Sequence, residues 1–243
     1  MIDNQDKTQE VEHGKKIANS ADFIWGWGTL VGQIRANRRA DYLISLADIK
    51  PGKKVLEVGC GTGIFTEKLA TTGAEIFAID ISSDLLSKAE NRIKSSKVTF
   101  KEADLEALPF EEGAFDCVVG VSVLHHVNIE KALREIKRVL KKPGIMVFSE
   151  PNMMNPQIAL QKNIPWLKKL AGDTPDETAF FRWPIKKLLI REGLADAIVK
   201  PFDFLHPKTP LGIINIAEKF GLILEKIPLI RELAGSLLIV VKS

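Results

Sequence analysis

Between residues 53 and 149, short apolar runs rich in β-branched and aromatic residues alternate with longer segments of helical period, and this alternation narrows the fold most. The runs are Lys54–Val58, Glu75–Asp80, Val98–Glu102, Phe115–Val121 and Ile145–Ser149; helical periodicity covers Asp84–Lys94 and Ile129–Leu140. Such a pattern means βαβ units and a parallel sheet. Gly52, Gly73, Gly113 and Gly144 stand near strand entrances and supply the turns.

The rhythm breaks after Glu150. A stretch rich in Pro, Trp and Phe predicts one helix over 156–170 and a second over Pro184–Glu192, ended by Gly193. A strand over Ala197–Phe204, a helical stretch over 210–233 interrupted at Gly221 and Pro228, and a terminal strand over Ser236–Val241 complete the pattern. The first 50 residues read as helices carrying an aromatic cluster, Phe23, Trp25 and Trp27. With 243 residues and 45% hydrophobic composition the chain can bury one full core. The expectation is one domain: a helical arm (1–50), a core (51–150), and cap insertions with the last two strands (151–243).

The most informative stretch is Val55-Leu56-Glu57-Val58-Gly59-Cys60-Gly61-Thr62-Gly63, an apolar strand running into a glycine turn that opens the helix from Ile64 to Ala70. Glycines let the backbone approach a ligand closely. Dinucleotide sites read GxGxxG here and set the helix N-terminus against a pyrophosphate. This chain reads GxGxG, with Ile64 where the third glycine would fall, which opposes a nicotinamide oxidoreductase. Glu57, two positions before the first glycine, suits a cationic group better than a pyrophosphate. Asp80 ends the second strand about 20 residues on, where a Rossmann-type site holds ribose hydroxyls. Asp104 follows the third strand and could accept from an adenine amino group while Ile81 packs on the ring. An aspartate at such a turn also commonly caps the next helix.

Charge excludes some partners. The 34 Lys and Arg against 31 Asp and Glu leave a net +3, too little for a general polyanion binder, so nucleic acid is not expected. The excess is C-terminal: residues 151–243 carry 13 basic and 9 acidic groups. Cys60 and Cys117 sit in no metal-binding or CxxC spacing and read as reduced thiols, and no metal site is expected. The polar N-terminus MIDNQDKTQEVEHGKK lacks a leader's apolar core, and no run of about 18 apolar residues exists. A cytoplasmic protein without a membrane span is expected.

In EVGCGTG, AIDIS, EADLEALPF, FDCVVGVSVLHHV and RVLKKPG the chain resembles the class I, Rossmann-like S-adenosylmethionine-dependent methyltransferases, in particular their type 11 domain group. The resemblance covers about residues 40–150, with a weaker match for the last two strands. It implies a seven-stranded, mostly parallel sheet flanked by helices, its last strand antiparallel between its neighbours. It also implies S-adenosyl-L-methionine as cofactor and S-adenosyl-L-homocysteine as product. By the same resemblance Glu57 and Gly59 contact the methionine part, Asp80 the ribose and Asp104 the adenine, and Gly61, Gly63, Ile81, Leu105 and Val121 are the further cofactor-binding residues.

Methyl transfer asks the protein for alignment and, with a hydroxyl acceptor, for a base. His125 and His126 follow the fourth strand on the expected cofactor edge, and imidazole titrates near neutrality. Neighbouring residues point different ways, so at most one faces the acceptor. His125 is the expected base, oriented by Glu150 at the end of the fifth strand, and His126 the more structural of the two; the alternative is that the pair simply hydrogen-bonds to hold a loop. Phe23–Thr29, Asn152–Trp183 and Asp203–Thr209 are expected to cover the acceptor. Trp25, Trp27, Phe180, Phe181, Trp183 and His206 could stack on a sugar or ring, though each alone reads as plain core. Arg35, Arg38 and Arg39 either pair with a cofactor carboxylate or form a solvated helix face. The acceptor expected is a small molecule or saccharide, methylated on oxygen or nitrogen; a quinone or lipid precursor and a non-catalytic cofactor-binding partner subunit are the alternatives.

Overall fold

The computed structural model describes residues 7–174 and 177–242; residues 1–6 of the polar N-terminus, Pro175 and Asp176 of the cap, and Ser243 lie outside the described residues. Three helices come first: α1 (Lys7–Ile17), α2 (Ala21–Ile24) and α3 (Leu30–Leu46). The alternating part follows as β1 (Lys54–Val58), α4 (Ile64–Ala70), β2 (Glu75–Asp80), α5 (Ser83–Arg92), β3 (Val98–Glu102), β4 (Phe115–Val121), α6 (Ile129–Val139) and β5 (Leu140–Pro151). The C-terminal part is α7 (Pro156–Asn163), α8 (Pro165–Ala171), α9 (Arg182–Arg191), β6 (Ile198–Phe202), α10 (Ile214–Leu224), α11 (Pro228–Arg231) and β7 (Ser236–Lys242).

The seven strands form one sheet in the order β3-β2-β1-β4-β5-β7-β6. Strands β1 to β5 pair in parallel, and β7 runs antiparallel between β5 and β6. The mostly parallel sheet with its antiparallel last strand is therefore present as expected. Each face is covered. Leu56, Val58, Phe115 and Phe148 join Leu133 and Ile136 of α6 and Leu189 of α9 in one core cluster. Val55, Ile76, Ala78 and Val119 join Leu43 of α3, Leu69 of α4 and Leu86 of α5 in the other. Fully burying such side chains contributes about 1.5–3 kcal/mol each. Thr29, Ser82 and Asn128 cap α3, α5 and α6 by accepting from the backbone N–H groups of Gly32, Leu85 and Lys131. The strand order reverses between β1 and β4, which opens a crevice beyond their carboxyl ends.

The structure moves the start of β5 from the expected Ile145 to Leu140, which ends α6 at Val139, and corrects three further elements. The single helix expected over 156–170 is two, because Pro165 cannot donate to the ladder and holds Ile164 extended at φ −107° and ψ 113°. Gly221 does not interrupt α10; it lies inside the helix where a Cβ would come 3.2 Å from Phe204. The sixth strand stops at Phe202 because Asp203 takes a left-handed φ of +72°.

The arginines of α3 are neither a solvated face nor available to a cofactor. Asp203 Oδ2 accepts from Arg35 Nε at 2.9 Å and pairs with Arg39 Nη2 at 2.7 Å. Arg38 makes a two-pronged contact with Glu225 at 2.7 and 2.6 Å, and Glu225 in turn accepts from the Asp203 N–H. Arg39 is 2% exposed, and burial lowers its pKa to about 10. Burial opposes the Asp203 charge, yet Arg39 and Arg35 outweigh it and hold the carboxyl at about 2. This cluster fastens α3 to the β6–α10 junction.

Asp203→Asn keeps a residue tolerant of positive φ but strands Arg39 in the core, so unfolding in urea should show a loss of about 3–5 kcal/mol at neutral pH. The carboxyl's folded value lies below its ordinary one, so its contribution is present above about 4 and is lost as pH falls through about 2. Wild type and variant should converge there.

Candidate active site

The glycine turn after β1 is held from two sides. Gly61 N–H donates to Asp80 Oδ2 at 2.8 Å, and Ser82 N–H donates to Asp80 Oδ1 at 2.9 Å, so this one carboxylate fastens the turn to the start of α5. Asp80 thus does the bracing that a capping aspartate would do, and each oxygen keeps a further lone pair. Burial pushes its pKa up, against the pull of those N–H donors. Gly59, Gly61 and Gly63 all have positive φ, but their open sides face different neighbours. A Cβ on Gly59 would clash with Val123 at 2.5 Å, and one on Gly63 would press on Ala89 of α5 and on Ile93 just after it at 3.0 Å. Packing thus dictates two of the three; only at Gly61 is the neighbour a ring of the arm, Trp25, at 3.1 Å.

Glu57 is the anomaly of the strand. It is 2% exposed, and its Oε2 is buried with no hydrogen-bond partner among the described residues. Burial pushes its pKa up to about 8, the nearby Thr66 hydroxyl pulling weakly the other way and Asp80 adding repulsion. An orphaned buried carboxyl is costly unless a ligand satisfies it. It fits a cationic amino group.

Beyond β3, Asp104 Oδ1 accepts from Glu106 N–H at 2.8 Å in a local turn, while Oδ2 pairs with the Lys7 ammonium of α1. Ile81 is half-buried, Leu105 belongs to the core cluster under α6, and Val121 is half-buried at the end of β4. The arm covers this edge. Gly14 of α1 sits so close to Ser82 that a Cβ would lie 2.6 Å from its hydroxyl, and Asp22 accepts from the Thr62 hydroxyl of the glycine turn and pairs with Arg92.

The second half of the site follows β4. Ser122 takes a positive φ of +54°, an uncommon state for a serine, and leads into a tight turn, Leu124–His126. Glu150, 1% exposed, accepts from the N–H groups of Val123 and Leu124 at 3.0 Å through Oε1 and lies 2.6 Å from His125 Nδ1 through Oε2. On the other side, His125 Nε2 stands 3.5 Å from Glu177 Oε1. Burial disfavours an imidazolium, but the two carboxylates outweigh it and raise His125 to about 9. Glu177 stays well below the usual carboxylate range: burial opposes its charge, and His125, His126 and Lys162 overcome it. His126 lies more open, its Nδ1 3.3 Å from Glu10 Oε1 of the arm. Sequence reasoning missed Glu10, Glu177, Asp22 and Lys7, because they come from segments with no motif and reach the site only through tertiary folding.

His125, His126 and Glu177 offer ligand atoms within 4.8 Å of one another. The Lys162 ammonium already pairs with Glu177 there. The aromatic groups expected to line an acceptor wall go to different places. Trp27 packs edge-on against Phe65 of α4 and Phe180 packs on the core, whereas Phe181, Trp183 and His206 are exposed. Trp25 alone meets the glycine turn. Cys60 and Cys117 are buried free thiols.

Residues 56–148 match a family described as a methyltransferase domain. An uncharacterized protein of Methanocaldococcus jannaschii is 37% identical over 143 residues, 58% of this chain and 51% of that one. The ubiquinone biosynthesis O-methyltransferase of Methylococcus capsulatus is 40% identical over 100 residues, 40% of this chain and 42% of that one. The demethylmenaquinone methyltransferase of Tropheryma whipplei is 37% identical over 135 residues, covering 52% and 56%. The chain thus spans about half the length of the curated relatives it matches. Among solved structures, a chain of the complex between the Haloferax volcanii Trm112 methyltransferase activator and its methyltransferase superposes with a TM-score of 0.70 at 18% identity, over 94% of this chain and 96% of that one. An S-adenosylmethionine-dependent methyltransferase of Mesorhizobium loti gives 0.64 at 20% identity, over 86% and 100%.

Glu177→Gln should lower the pKa of His125 from about 9 toward its ordinary 6.5, read by NMR titration of the imidazole, since one of two flanking carboxylates is gone while Asp173 still answers Lys162. A raised histidine stabilises the fold fully below about 6.5 and loses that contribution as pH rises through about 9. The wild type should therefore lose more stability than the variant across that window.

Proposed function

We propose that this chain, a class I S-adenosylmethionine-dependent methyltransferase in family and fold, moves the methyl group of S-adenosyl-L-methionine onto a hydroxyl oxygen of a small molecule. The observation that carries the reading is the buried His125–Glu150 pair at 2.6 Å, set on the carboxyl edge of β4 and β5 beside the glycine turn that follows β1. The bound cofactor supplies a methyl carbon already activated by positive sulfur. Everything else falls to the chain's own residues.

Glu57 offers its orphaned carboxylate to the cofactor's ammonium, which relieves the burial that holds it protonated. Asp80 uses its remaining lone pairs for the ribose hydroxyls, and Ile81 and Leu105 flank the adenine. Asp104 becomes available to the adenine amino group when Lys7 lets go, and Trp25 draws back from Gly61 as the arm loosens. His125 Nε2 takes the acceptor proton after Glu177 yields its place beside it. Glu150, anchored by two backbone N–H groups, holds the ring in one tautomer and balances the charge that His125 gains. His126 stays a structural partner of Glu10.

The saccharide reading draws less support, because Trp27 and Phe180 of the expected stacking wall are packed against Phe65 and the core. A second reading, a phenolic quinone precursor as acceptor, is favoured by the ubiquinone and menaquinone methyltransferases among the relatives. A non-catalytic partner subunit would bind the cofactor and turn over none of a set of phenols and catechols.

Calorimetry should show Asp80→Ala weakening cofactor binding by about 1–3 kcal/mol. At pH 7 binding should release a proton from Glu57, visible as a dependence of the heat on buffer ionisation, and Glu57→Gln should abolish that release. In turnover, His125→Ala should keep cofactor affinity and cost about 10²–10⁴ in rate. A base with a pKa near 9 puts the acidic limb of kcat/KM near that pH, and Glu177→Gln should move the limb down. A limb that stays put in that variant would remove His125 as the base.

A further inference from the structure

The segment joining β6 to β7 wears its apolar side outward. The buried positions Ile214 and Gly221 of α10, and Glu225 just after it, recur at helical spacing on the inner face. The outer face carries Ile216, Phe220, Ile223 and Ile227, with Ile216 70% and Phe220 58% exposed; Leu229 of α11 follows at 85%. A monomeric protein rarely leaves so continuous an apolar stripe in water.

Charge in this segment is sorted. Beyond Asp203, its three acids turn inward: Glu225 binds Arg38, Glu232 binds Arg182, and Glu218 lines a small cleft with Arg35 and Arg38. Its lysines Lys208, Lys219 and Lys226 are all exposed, and no acidic side chain between 206 and 233 is. Lys219 and Lys226 flank the stripe at the spacing of one helix face. An apolar face rimmed only by cations matches an anionic bilayer, where headgroups meet the lysines and the side chains enter the acyl boundary. Two copies meeting face to face would instead set these lysines near one another with no exposed acid of the segment to answer them. No helix among the described residues is long and apolar enough to cross a membrane, so a surface-lying element is the form this contact takes.

We propose that α10 and α11 dock this protein on the surface of an anionic lipid bilayer. The topology gives the contact a direction. β6 ends, and β7 begins, on the carboxyl edge of the sheet, since Ser236 pairs with Phe202 and Pro151, so the docking segment springs from the same edge as the candidate active site.

The test is cosedimentation of the full chain with large unilamellar vesicles of phosphatidylcholine alone and of phosphatidylcholine with phosphatidylglycerol. The wild type should pellet with the mixed vesicles and hardly with phosphatidylcholine, and added salt should release it. The double variant K219E/K226E should cut the partition coefficient on the mixed vesicles by more than about tenfold. The double variant F220S/L229S should do the same with thermal stability unchanged, because both side chains are already in solvent. Protein that stays in the supernatant, or K219E/K226E binding as wild type does, overturns the proposal. So does a stable dimer in analytical ultracentrifugation that F220S/L229S dissociates, which would assign the stripe to a second copy of the chain. None of these readouts needs methyl transfer, so the proposal and the enzymatic reading fail separately.

Discussion

A parallel sheet covered on both faces forces its strands to end on one edge, and this chain has placed buried carboxylates there: Glu57 in β1, Asp80 ending β2, Glu150 in β5. Burial and mutual repulsion make ionisation there costly, as the upward shifts of Glu57 and Asp80 show. The rest of the molecule answers that edge. Glu150 is satisfied by two backbone N–H groups and an imidazole, Asp104 by Lys7, and Glu177 by Lys162 and the histidines. Glu57 and Asp80 have no Lys or Arg partner among the described residues, and this is the charge pattern on which the proposed cofactor site beside β1 rests.

The arm and the cap meet over this edge. Glu10 of α1 accepts from the Thr174 hydroxyl, Thr174 N–H donates to Glu177, and Glu177 faces His125. The contacts differ in strength. Lys7 is 43% exposed and Arg92 28%, and ion pairs open to water are worth about 0–1 kcal/mol each. The Arg39–Asp203 pair of α3 is buried, and breaking it costs several times more. The first helices are thus held to the site by weak exposed ion pairs beside the small buried cluster of Ile17, Ala21 and Leu85, whereas α3 is fastened by a buried pair.

The same sorting of charge shapes the C-terminal part. Of the acids of residues 206–233, Glu225 and Glu232 are paired with Arg38 and Arg182, so the arginines that hold α3 and α9 also take negative charge off the outer surface. One set of contacts fixes a helix inside and leaves lysines and apolar side chains outside.

Much of the core was legible in the sequence because its signals are local. Period-2 and period-3.6 patterns over 54–149, the glycine turn and the acid ending the second strand located β1 to β4 nearly to the residue and set His125 beside Glu150. Local signals misled where the chain's meaning depends on a neighbour. Gly221 reads as a breaker but is a close approach to Phe204, and Arg35, Arg38 and Arg39 read as a solvated face until Asp203 and Glu225 arrive from about 165 and 190 residues away. By itself, then, the sequence determined the order of strands and helices, the turn and the carboxylates at strand ends, all set by backbone geometry and hydrophobic period. Tertiary structure alone decided which charges are paired. It brought Glu177 and Glu10 to the histidines, left Glu57 Oε2 without a hydrogen-bond partner among the described residues and turned the apolar face of α10 outward, because burial and charge pairing are properties of residues distant in the chain that meet only when it folds.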